Sequence, residues 1–448
     1  MTHANFDTII VGSGTSAYYI ADGLARAGHT IAMIDDRPYG GTCALRGCQP
    51  KKYLVCNAEA VAMGRHLLGR GIRAGAEPDW PAMQALKNRF LDGRSEAEVT
   101  AWQKKGIATY SGRAAMTGPD TMVVNGSHLK AETIVLATGA SPRRSGINGS
   151  EFITDSDGFL DLPRLPERIL FIGGGYISFE FAHVAARCGA KAVTILQRSD
   201  RALKSFDPDI VETVIAAGKT QGIQLILNEA PVSVEKKSDG LHLSGSSGTG
   251  YAADLIVEAT GRVPNLDVVD NPASMVQTCP DGIRVNEYLQ SISNPRVYAV
   301  GDCAAQGPML ATVADEQGKT AVDNIINGNH RTVDYTVVPT AVFTIPGIGA
   351  VGLSQKEAEK QGIDFRINTG TTTRWPSSMR IGEDHSRYKI LIDNATDEII
   401  GAHLARHNAP ESINILALAI KFKIKAPQLA EFMWAYPTLV SDLKYMVA

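Results

Sequence analysis

Hydrophobic and polar residues follow one another in a pattern that predicts two strand–helix–strand units. In the first unit, residues 7–11 and 30–35 have the buried, apolar character of strands, and residues 17–27 have the spacing of a helix. In the second unit, strands at 168–172 and 192–196 enclose a helix at 176–188. A glycine-rich turn joins strand to helix in both units, as in dinucleotide-binding folds. The pattern therefore predicts two nucleotide-binding lobes.

The remaining segments predict how these lobes end and which elements come after them. The segments "IVLATGASP" and "IVEATGRVPN" each predict a buried strand that closes on a glycine turn, with Thr138 and Gly139 in the first turn and Gly261 in the second. Residues 244–250 predict a hairpin tip. Beyond Gly328, strands at 341–344 and 388–392 precede helices at 411–421 and 427–433. The chain is thus predicted to be α/β, with a separate α+β domain at its C-terminal end.

Composition narrows the classes of partner. The 448 residues have a formal net charge of −3, which provides no cationic field for nucleic acid. The first residues show no charged-then-apolar leader, and no apolar run reaches the length of a membrane span. Six cysteines are too few for the disulfide framework of a secreted protein. We therefore expect a cytoplasmic protein with neither nucleic acid nor a membrane as its partner.

The first glycine turn lies in the segment "IIVGSGTSA". Gly12 and Gly14 allow the tight turn and the close approach of a pyrophosphate to the start of the helix, and Ala17 takes the third small position. Asp35 ends the next strand, where its carboxylate can accept hydrogen bonds from ribose hydroxyls and would repel a ribose 2′-phosphate. This turn is predicted to bind FAD or NAD.

The second glycine turn, in "FIGGGYISFEFA", has Gly173 and Gly175 in the matching places. Tyr176 and Ile177 follow at the start of the helix, and Ser178 stands where a third glycine is usual. Because two such turns occur in matching contexts, a nucleotide site is favoured over a turn that serves only packing.

The strand after the second turn ends without an acidic residue at the ribose position. Gln197 stands there, followed by Arg198, Arg201 and Lys204, whose cationic groups suit a 2′-phosphate. The alternative is a basic turn that is simply solvated. Because these basic residues directly follow a nucleotide-binding strand, the sequence favours NADPH over NADH.

Cys43 and Cys48 lie in the segment "GGTCALRGCQPKK", directly after Gly41 and Thr42 and shortly before Lys51. If a helix begins near Thr42, its dipole and the nearby lysines stabilise a thiolate, the form that attacks disulfides. A zinc site would need two further ligands, and no second pair of cysteines supplies them. Two inert buried cysteines are the other alternative, so a reversible redox pair is the favoured interpretation and no metal site is predicted.

Taken together, these motifs resemble the flavoprotein disulfide reductase family, which includes glutathione reductase, dihydrolipoamide dehydrogenase and mercuric reductase. The segments "VYAVGDCA" and "PTAVFTIPGIGAVGLS" extend the resemblance over essentially the whole chain. It implies a homodimer of subunits with two Rossmann-like domains and a dimerisation domain. An FAD-binding domain (residues 1–145 and 266–335) would enclose an inserted NAD(P)-binding domain (146–265), and residues 336–448 would form the dimerisation domain.

The same resemblance implies roles for individual residues. Electrons would pass from NADPH through FAD to a Cys43–Cys48 disulfide and then to an acceptor disulfide. Cys48 would lie against the flavin and Cys43 would exchange with the acceptor. Lys51 and Glu180 would form an ion pair beside the flavin, and Tyr176 would cover the nicotinamide pocket. Asp302, next to Gly301, would bind the ribityl chain of the flavin.

One segment departs from the family pattern. Disulfide reductases end in a His-Pro-Thr segment followed by glutamate, whereas this chain has Tyr436 and Ser441 in those places, with Asp442 adjacent. Tyrosine titrates near 10 and is a poor base at neutral pH, so the usual acid–base pair is missing and either Tyr436 or solvent is predicted to supply the proton. Disulfide reduction is favoured, and the alternatives are reduction of a soft metal ion, quinone reduction and a redox-sensing dimer.

Overall fold

The strands follow the predicted hydrophobic pattern in a computed structural model that describes residues 4–448. In chain order they are β1 (Ala4–Val11), β2 (Ile31–Asp35), β3 (Ala108–Ser111), β4 (Ala114–Met116), β5 (Thr121–Val124), β6 (Ser127–Leu136), β7 (Ala140–Pro142), β8 (Arg168–Ile172), β9 (Ala192–Gln197), β10 (Ile223–Leu227), β11 (Pro231–Lys237), β12 (Gly240–Gly245), β13 (Gly250–Ala253), β14 (Leu255–Glu258), β15 (Arg262–Pro264), β16 (Thr278–Cys279), β17 (Gly282–Ile283), β18 (Val297–Ala299), β19 (Thr340–Val342), β20 (Gly347–Gly352), β21 (Phe365–Gly370), β22 (Arg387–Asp393) and β23 (Ile399–Arg406).

The helices in chain order are α1 (Thr15–Arg26), α2 (Gly41–Arg46), α3 (Cys48–His66), α4 (Trp80–Leu91), α5 (Arg94–Lys104), α6 (Ser156–Leu160), α7 (Tyr176–Arg187), α8 (Pro208–Thr220), α9 (Ala311–Asn327), α10 (Gln355–Lys360), α11 (Pro376–Ile381), α12 (Ala409–Lys421), α13 (Ala426–Glu431) and α14 (Leu443–Met446). None of the helices in residues 4–448 combines the length and the apolar character needed to cross a bilayer.

The chain forms two compact units. Unit 1 comprises residues 1–51, 87–143 and 262–335, and unit 2 comprises residues 52–86, 144–261 and 336–448. The chain thus passes between the units near residues 51, 86, 143, 261 and 335. Unit 2 groups the second strand–helix–strand unit with the C-terminal α+β part.

Unit 1 is built on a sheet in the order β3-β2-β1-β6-β5-β4, with β18 also paired to β6. The strands β3, β2, β1, β6 and β18 run parallel, whereas β4 and β5 extend β6 as an antiparallel meander. In register, Val11 of β1 pairs with Ile34 on one side and Leu136 on the other. Alternate residues of β1 pack into two separate apolar cores, so burial on both faces explains its continuous hydrophobic run.

Unit 2 contains three further sheets. The parallel sheet β10-β9-β8-β14 is the second strand–helix–strand fold, and the antiparallel hairpins β11-β12-β13 lie in the same unit. The predicted hairpin tip at 244–250 falls between β12 and β13 and is confirmed. The antiparallel sheet β19-β20-β23-β22-β21 is covered by α12, whose residues Ile413 and Leu416 join its apolar core. This sheet and helix confirm the predicted α+β part.

Candidate functional site

The first glycine turn connects β1 to α1 in unit 1. The N–H of Gly12 donates to the carbonyl of Ile34 at 2.7 Å. Gly12 has a φ of +110°, and a Cβ at this position would lie only 2.1 Å from the carbonyl oxygen of Ala137. Only glycine fits such a place. Gly14 caps α1 without a side chain, so the first N–H groups of the helix are left for an anionic ligand such as a pyrophosphate.

Asp35 lies at the end of β2 beside this turn. Its Oδ2 accepts hydrogen bonds from the backbone N–H of Ser13 at 2.8 Å and from the Ser13 hydroxyl at 2.5 Å, and its Oδ1 accepts one from the N–H of Arg37. Burial raises the pKa of Asp35, while the bonds from Ser13 oppose this shift. The carboxyl group is thus fixed at the position from which an acidic residue binds the ribose in dinucleotide-binding folds.

In unit 1, the segment with Thr138 and Gly139 lies against the segment with Asn265, where β7 pairs with β15. The hydroxyl of Thr138 donates to the carbonyl of Asn265 at 2.7 Å, and the N–H of Asn265 donates to the carbonyl of Gly139. Nearby, a cavity of about 300 Å³ is lined in part by Arg262, Gly301 and Asp302. Burial raises the pKa of Asp302, and the charge of Arg262 opposes that shift.

The fit of unit 1 to FAD rests on these features. The glycine turn has room for a phosphate that a side chain would block, and a fixed carboxyl group stands at the ribose position. Asp302 lines a cavity that can take a polar chain. The residues present therefore fit the cofactor.

Cys43 and Cys48 lie on two successive helices rather than on one. A helix does begin near Thr42, as the sequence argument required, but α2 ends at Arg46 because Gly47 leaves the helical region with φ −144° and ψ −111°. Cys48 then becomes the first residue of the 19-residue helix α3. At that position the helix dipole favours a thiolate on Cys48.

The two cysteines contact each other and are both in the reduced form. The Cys43 side chain hydrogen-bonds to Cys48, and this bond is the largest cause that raises the pKa of the Cys43 thiol. Burial and the negative charges of Cys48 and Asp315 raise that pKa further. The two sulfurs thus lie close enough to interact, and Cys48 is the one that begins a long helix.

Lys51 belongs to unit 1 and Glu180 to unit 2. The N–H of Lys51 donates to the carbonyl of Gly47 in the first turn of α3. Glu180 is buried on α7, and its Oε1 accepts a hydrogen bond from the N–H of Phe343 at 2.9 Å. One turn later, Nδ1 of His183 accepts from the N–H of Ile345 at 3.1 Å. The predicted ion pair of Lys51 with Glu180 stays a prediction.

The second glycine turn, between β8 and α7, repeats the geometry of the first. The N–H of Gly173 donates to the carbonyl of Leu196 at 2.8 Å, as the N–H of Gly12 does to Ile34. A Cβ on Gly173 would lie 2.5 Å from the carbonyl oxygen of Ala259, and Gly175 caps α7 without a side chain. Tyr176 begins the helix and is 44% exposed. The turn thus suits a second pyrophosphate.

The loop after β9 carries the basic residues Arg198 and Lys204 on its surface and is held in place by Gln197. Gln197 holds the loop, since its Oε1 accepts from the N–H of Gly174 at 2.9 Å and its Nε2 donates to the Ser199 hydroxyl. Arg198 and Lys204 are exposed.

Arg201 is placed less favourably than Arg198 and Lys204 for the expected contact with a 2′-phosphate, which stays a prediction. Its guanidinium donates to the carbonyls of Lys204 and Phe206, which hold the side chain against the loop. The backbone carbonyls, whose positions a sequence pattern does not reveal, compete for its donors. Arg198 and Lys204 remain as candidates.

Matches to known proteins cover both parts of the chain. Residues 6–318 match the pyridine nucleotide-disulphide oxidoreductase family, and residues 338–447 match the dimerisation domain of that family. The chain belongs to the pyridine nucleotide-disulphide oxidoreductases. The predicted membership of the flavoprotein disulfide reductases is therefore confirmed, the protein is an oxidoreductase, and its dimerisation domain supports a homodimer.

Relatives in this family have different activities. The chain is 31% identical to the mercuric reductase of Lysinibacillus sphaericus, over 98% of this chain and 82% of that protein. It is 30% identical to the glutathione reductase of Burkholderia cepacia, over 99% of this chain and 98% of that protein. The solved Cu(II) complex of RclA, an HOCl-induced flavoprotein disulfide reductase from Escherichia coli, has a TM-score of 0.90 at 24% identity, covering 100% of this chain and 99% of that chain. This last likeness confirms the fold.

The C-terminal segment of this pyridine nucleotide-disulphide oxidoreductase contains Tyr436, Ser441 and Asp442, the residues at the expected place of the acid–base pair. Tyr436 is 71% exposed, and the Nζ of Lys444 lies 5.8 Å from its ring centroid. Asp442 binds residues of the same C-terminal part, since its Oδ2 accepts hydrogen bonds from Arg406 and from Ser377, both at 2.6 Å. Ser441 is buried and donates to the carbonyl of Thr438. Oδ2 of Asp442 and the hydroxyl of Ser441 are thus engaged within the C-terminal part of the chain, and the missing acid–base pair stays a prediction.

Asp315, near the start of α9, is a candidate that the sequence motifs do not identify. Its charge acts on the Cys43 thiol, although the two residues are far apart in the sequence. The only signal in the sequence is an acidic residue shortly after the "GDCA" segment, and nothing in the pattern relates that residue to Cys43.

Proposed function

We propose that this protein is an FAD-dependent oxidoreductase that uses NADPH to reduce a thiol–disulfide acceptor. The observation that carries the proposal is the hydrogen-bonded pair of Cys43 and Cys48, with Cys48 at the start of a long helix. When bound, FAD supplies hydride acceptance from a nicotinamide and two-electron reduction of a neighbouring disulfide. The glycine turn at Gly12 and the carboxyl group of Asp35 would hold it.

The coenzyme proposed for the second lobe is NADPH. Gln197 brings no negative charge to the ribose position, and its side chain is occupied in holding the loop. The exposed Arg198 and Lys204 can both approach a 2′-phosphate, for which charge-assisted hydrogen bonds are the main source of affinity. Tyr176, partly exposed at the start of α7, would cover the nicotinamide pocket.

The two cysteines have different tasks in the proposed reaction. Cys43 attacks one sulfur of the acceptor disulfide, and Cys48 then attacks the Cys43 sulfur and releases the reduced product. This order follows the family resemblance, in which Cys48 lies against the flavin and Cys43 exchanges with the acceptor.

Reduction of a soft metal ion is the second candidate function. It is favoured by the replacement of histidine by Tyr436, because transfer to a metal ion needs no leaving thiolate to be protonated. Among the relatives, the mercuric reductase of Lysinibacillus sphaericus aligns with nearly the whole chain.

A steady-state assay separates the candidates. NADPH oxidation is measured with small disulfides, protein disulfides, Hg²⁺ and a quinone, using the wild type and Cys43→Ser. We expect the wild type to reduce at least one disulfide, and Cys43→Ser to lose that activity while it still reduces the quinone. Disulfide reduction that survives in Cys43→Ser would contradict the proposal, and turnover with Hg²⁺ alone would favour the second candidate.

A further inference from the structure

A cavity lies wholly within unit 2, outside the two glycine turns and the cysteine pair. It has a volume of about 370 Å³, and every residue that lines it belongs to unit 2. Its walls are one face of α3, the ends of α7 and α8, the segment between β19 and β20, and the segments 381–385 and 407–411. Such a volume is typical of small-molecule sites and equals the space of about a dozen water molecules.

Contacts between separate segments of unit 2 fix the walls of this cavity. The guanidinium of Arg65 on α3 donates to the carbonyl of Arg187 at 3.2 Å, and Nη2 of Arg187 donates to the carbonyl of Ile345 at 3.0 Å. A Cβ on Gly382 would lie 2.7 Å from the carbonyl oxygen of His66, at the end of α3. Because these contacts join the walls, the space is a preformed cavity rather than a gap beside a single loop.

Arg187 brings a buried positive charge to the cavity, since its side chain lines the space and is only 2% exposed. Its Nη1 donates to Nδ1 and to the carbonyl oxygen of His183, at 3.2 and 3.3 Å, and its Nη2 donates to the carbonyl of Ile345. In residues 4–448 no carboxylate pairs with Arg187, and its buried Nε has no hydrogen-bond partner. A guanidinium buried without a counter-ion is costly, and the carboxylate of a ligand would supply one.

The other basic groups of the lining do not supply this charge. The Nζ of Lys52 lies over the ring of Phe343, 4.2 Å from its centroid. Burial lowers the pKa of His66 and of His407, so both imidazoles are mainly neutral at pH 7. Burial also lowers the pKa of Arg187, to about 10, which leaves its guanidinium charged at pH 7.

Four carboxyl groups also line the cavity, and they differ in their surroundings. Glu383 is buried, and its Oε2 accepts a hydrogen bond from the hydroxyl of Ser378 at 2.9 Å. Asp384 and Glu411 are exposed to solvent. Glu59 on α3 is half-buried, and over the described range 4–448 its carboxylate makes neither an ion pair nor a hydrogen bond. Glu59 is therefore the acidic group of the lining that is best placed to bind a cation of a ligand.

Arg187 and Glu59 thus line one cavity without forming an ion pair with each other in the described part of the chain. A ligand that carries both charges provides a partner for each group, whereas a simple carboxylate would leave Glu59 unpaired beside it. Met63, Phe343 and Ile345 add apolar surface for a side chain. We propose that this cavity binds a zwitterionic amino acid or short peptide, with its carboxylate on Arg187 and its ammonium group on Glu59. This inference does not depend on the proposed reduction of a disulfide.

A series of ligands tests both charged ends without a change in the protein. Isothermal titration calorimetry measures the binding of leucine and of alanyl-leucine to the FAD-loaded wild type. The N-acetyl form of the dipeptide lacks the ammonium group, and its C-terminal amide lacks the carboxylate. We expect alanyl-leucine to bind, and each blocked form to bind at least about tenfold more weakly, because it has lost a charge-assisted hydrogen bond. None of these ligands contains a disulfide, so binding is measured apart from electron transfer.

Three variants show whether the ligand lies in this cavity. Glu59→Gln should bind alanyl-leucine about tenfold more weakly and should no longer distinguish it from the N-acetyl form. Thr220→Trp places a large side chain at an exposed position of the lining and should abolish binding. Glu212→Gln is the matched control, because Glu212 is exposed on the same helix as Thr220 but does not line the cavity. Arg187 is left intact, because it also joins α7 to the carbonyl of Ile345 and the amide ligand removes the same interaction.

Three results would overturn the inference. The first is a wild type that binds neither leucine nor alanyl-leucine at millimolar concentrations. The second is equal binding of the free dipeptide and either blocked form, since the charged ends would then contribute nothing. The third is binding that Thr220→Trp leaves unchanged, because the ligand would then lie elsewhere. A wild type that binds the dipeptide but reduces no disulfide would overturn the proposed function and leave this inference intact.

Discussion

Replacing Arg198 by alanine tests how the second lobe selects its coenzyme. A hydrogen bond to a charged group contributes about 1.5–3 kcal/mol, and about 1.4 kcal/mol corresponds to a factor of ten in affinity. Arg198 is exposed and Lys204 remains beside it, so the loss should lie toward the lower end of that range. We therefore expect the KM for NADPH to rise about 10-fold in Arg198→Ala, and by about 100-fold when Lys204 is replaced as well. The KM for NADH, which has no 2′-phosphate, should change little.

The assay is steady-state oxidation of each coenzyme at one saturating concentration of acceptor. Arg201→Ala is the control, because the Arg201 guanidinium is held by the carbonyls of Lys204 and Phe206. Its ratio of NADPH to NADH KM values should stay close to that of the wild type. The reasoning is refuted if Arg201→Ala loses the preference while Arg198→Ala keeps it, or if the wild type prefers NADH.

Two further predictions concern FAD binding and the stability of the fold. Gly12→Ala should purify with little flavin absorbance, because its Cβ would meet the carbonyl oxygen of Ala137 at 2.1 Å. Gly28→Ala, with open space around its Cβ, should keep its FAD, and equal flavin in both variants would contradict the first turn as the binding site. Lys389→Met should lower the free energy of unfolding by roughly 3 kcal/mol in urea, because it leaves buried Asp207, 3.0 Å away, without its cation. Lys389 also lowers the pKa of Asp209, so the separate contribution of the Lys389–Asp209 pair is complete above the ordinary carboxyl pKa of about 3.9 and is lost as the pH falls through the lower folded value of Asp209. A variant as stable as the wild type at pH 7 would contradict the stabilising role of these ion pairs.

Periodic segments and glycine turns were predictable because their signals are local. The strand β8 begins and ends where its hydrophobic run predicts, and α7 ends within one residue of the expected position. Gly12 and Gly173 could be identified because a turn between a parallel strand and a helix needs a residue without a side chain. The same reasoning located the cysteine pair beside the first lobe.

Features that depend on tertiary contacts were not predictable. The break at Gly47 is decided by one residue's backbone angles, which glycine leaves undetermined. Arg201 resembles its neighbours in the sequence, and only the folded loop shows that its Nη2 donates to backbone carbonyls. Asp315 acts on Cys43 across a long stretch of chain, through the packing of α9 in unit 1. Such contacts have no period and no spacing that a sequence pattern can reveal.

Electron uptake by the FAD-loaded enzyme tests most directly whether Cys43 and Cys48 form a redox centre. Anaerobic titration with dithionite, followed by flavin absorbance and by the count of free thiols, should show that the oxidised wild type takes up twice as many electrons as Cys43→Ser. Two new thiols should appear in the wild type and none in the variant. Equal uptake by both proteins, with no thiols formed, would contradict the account.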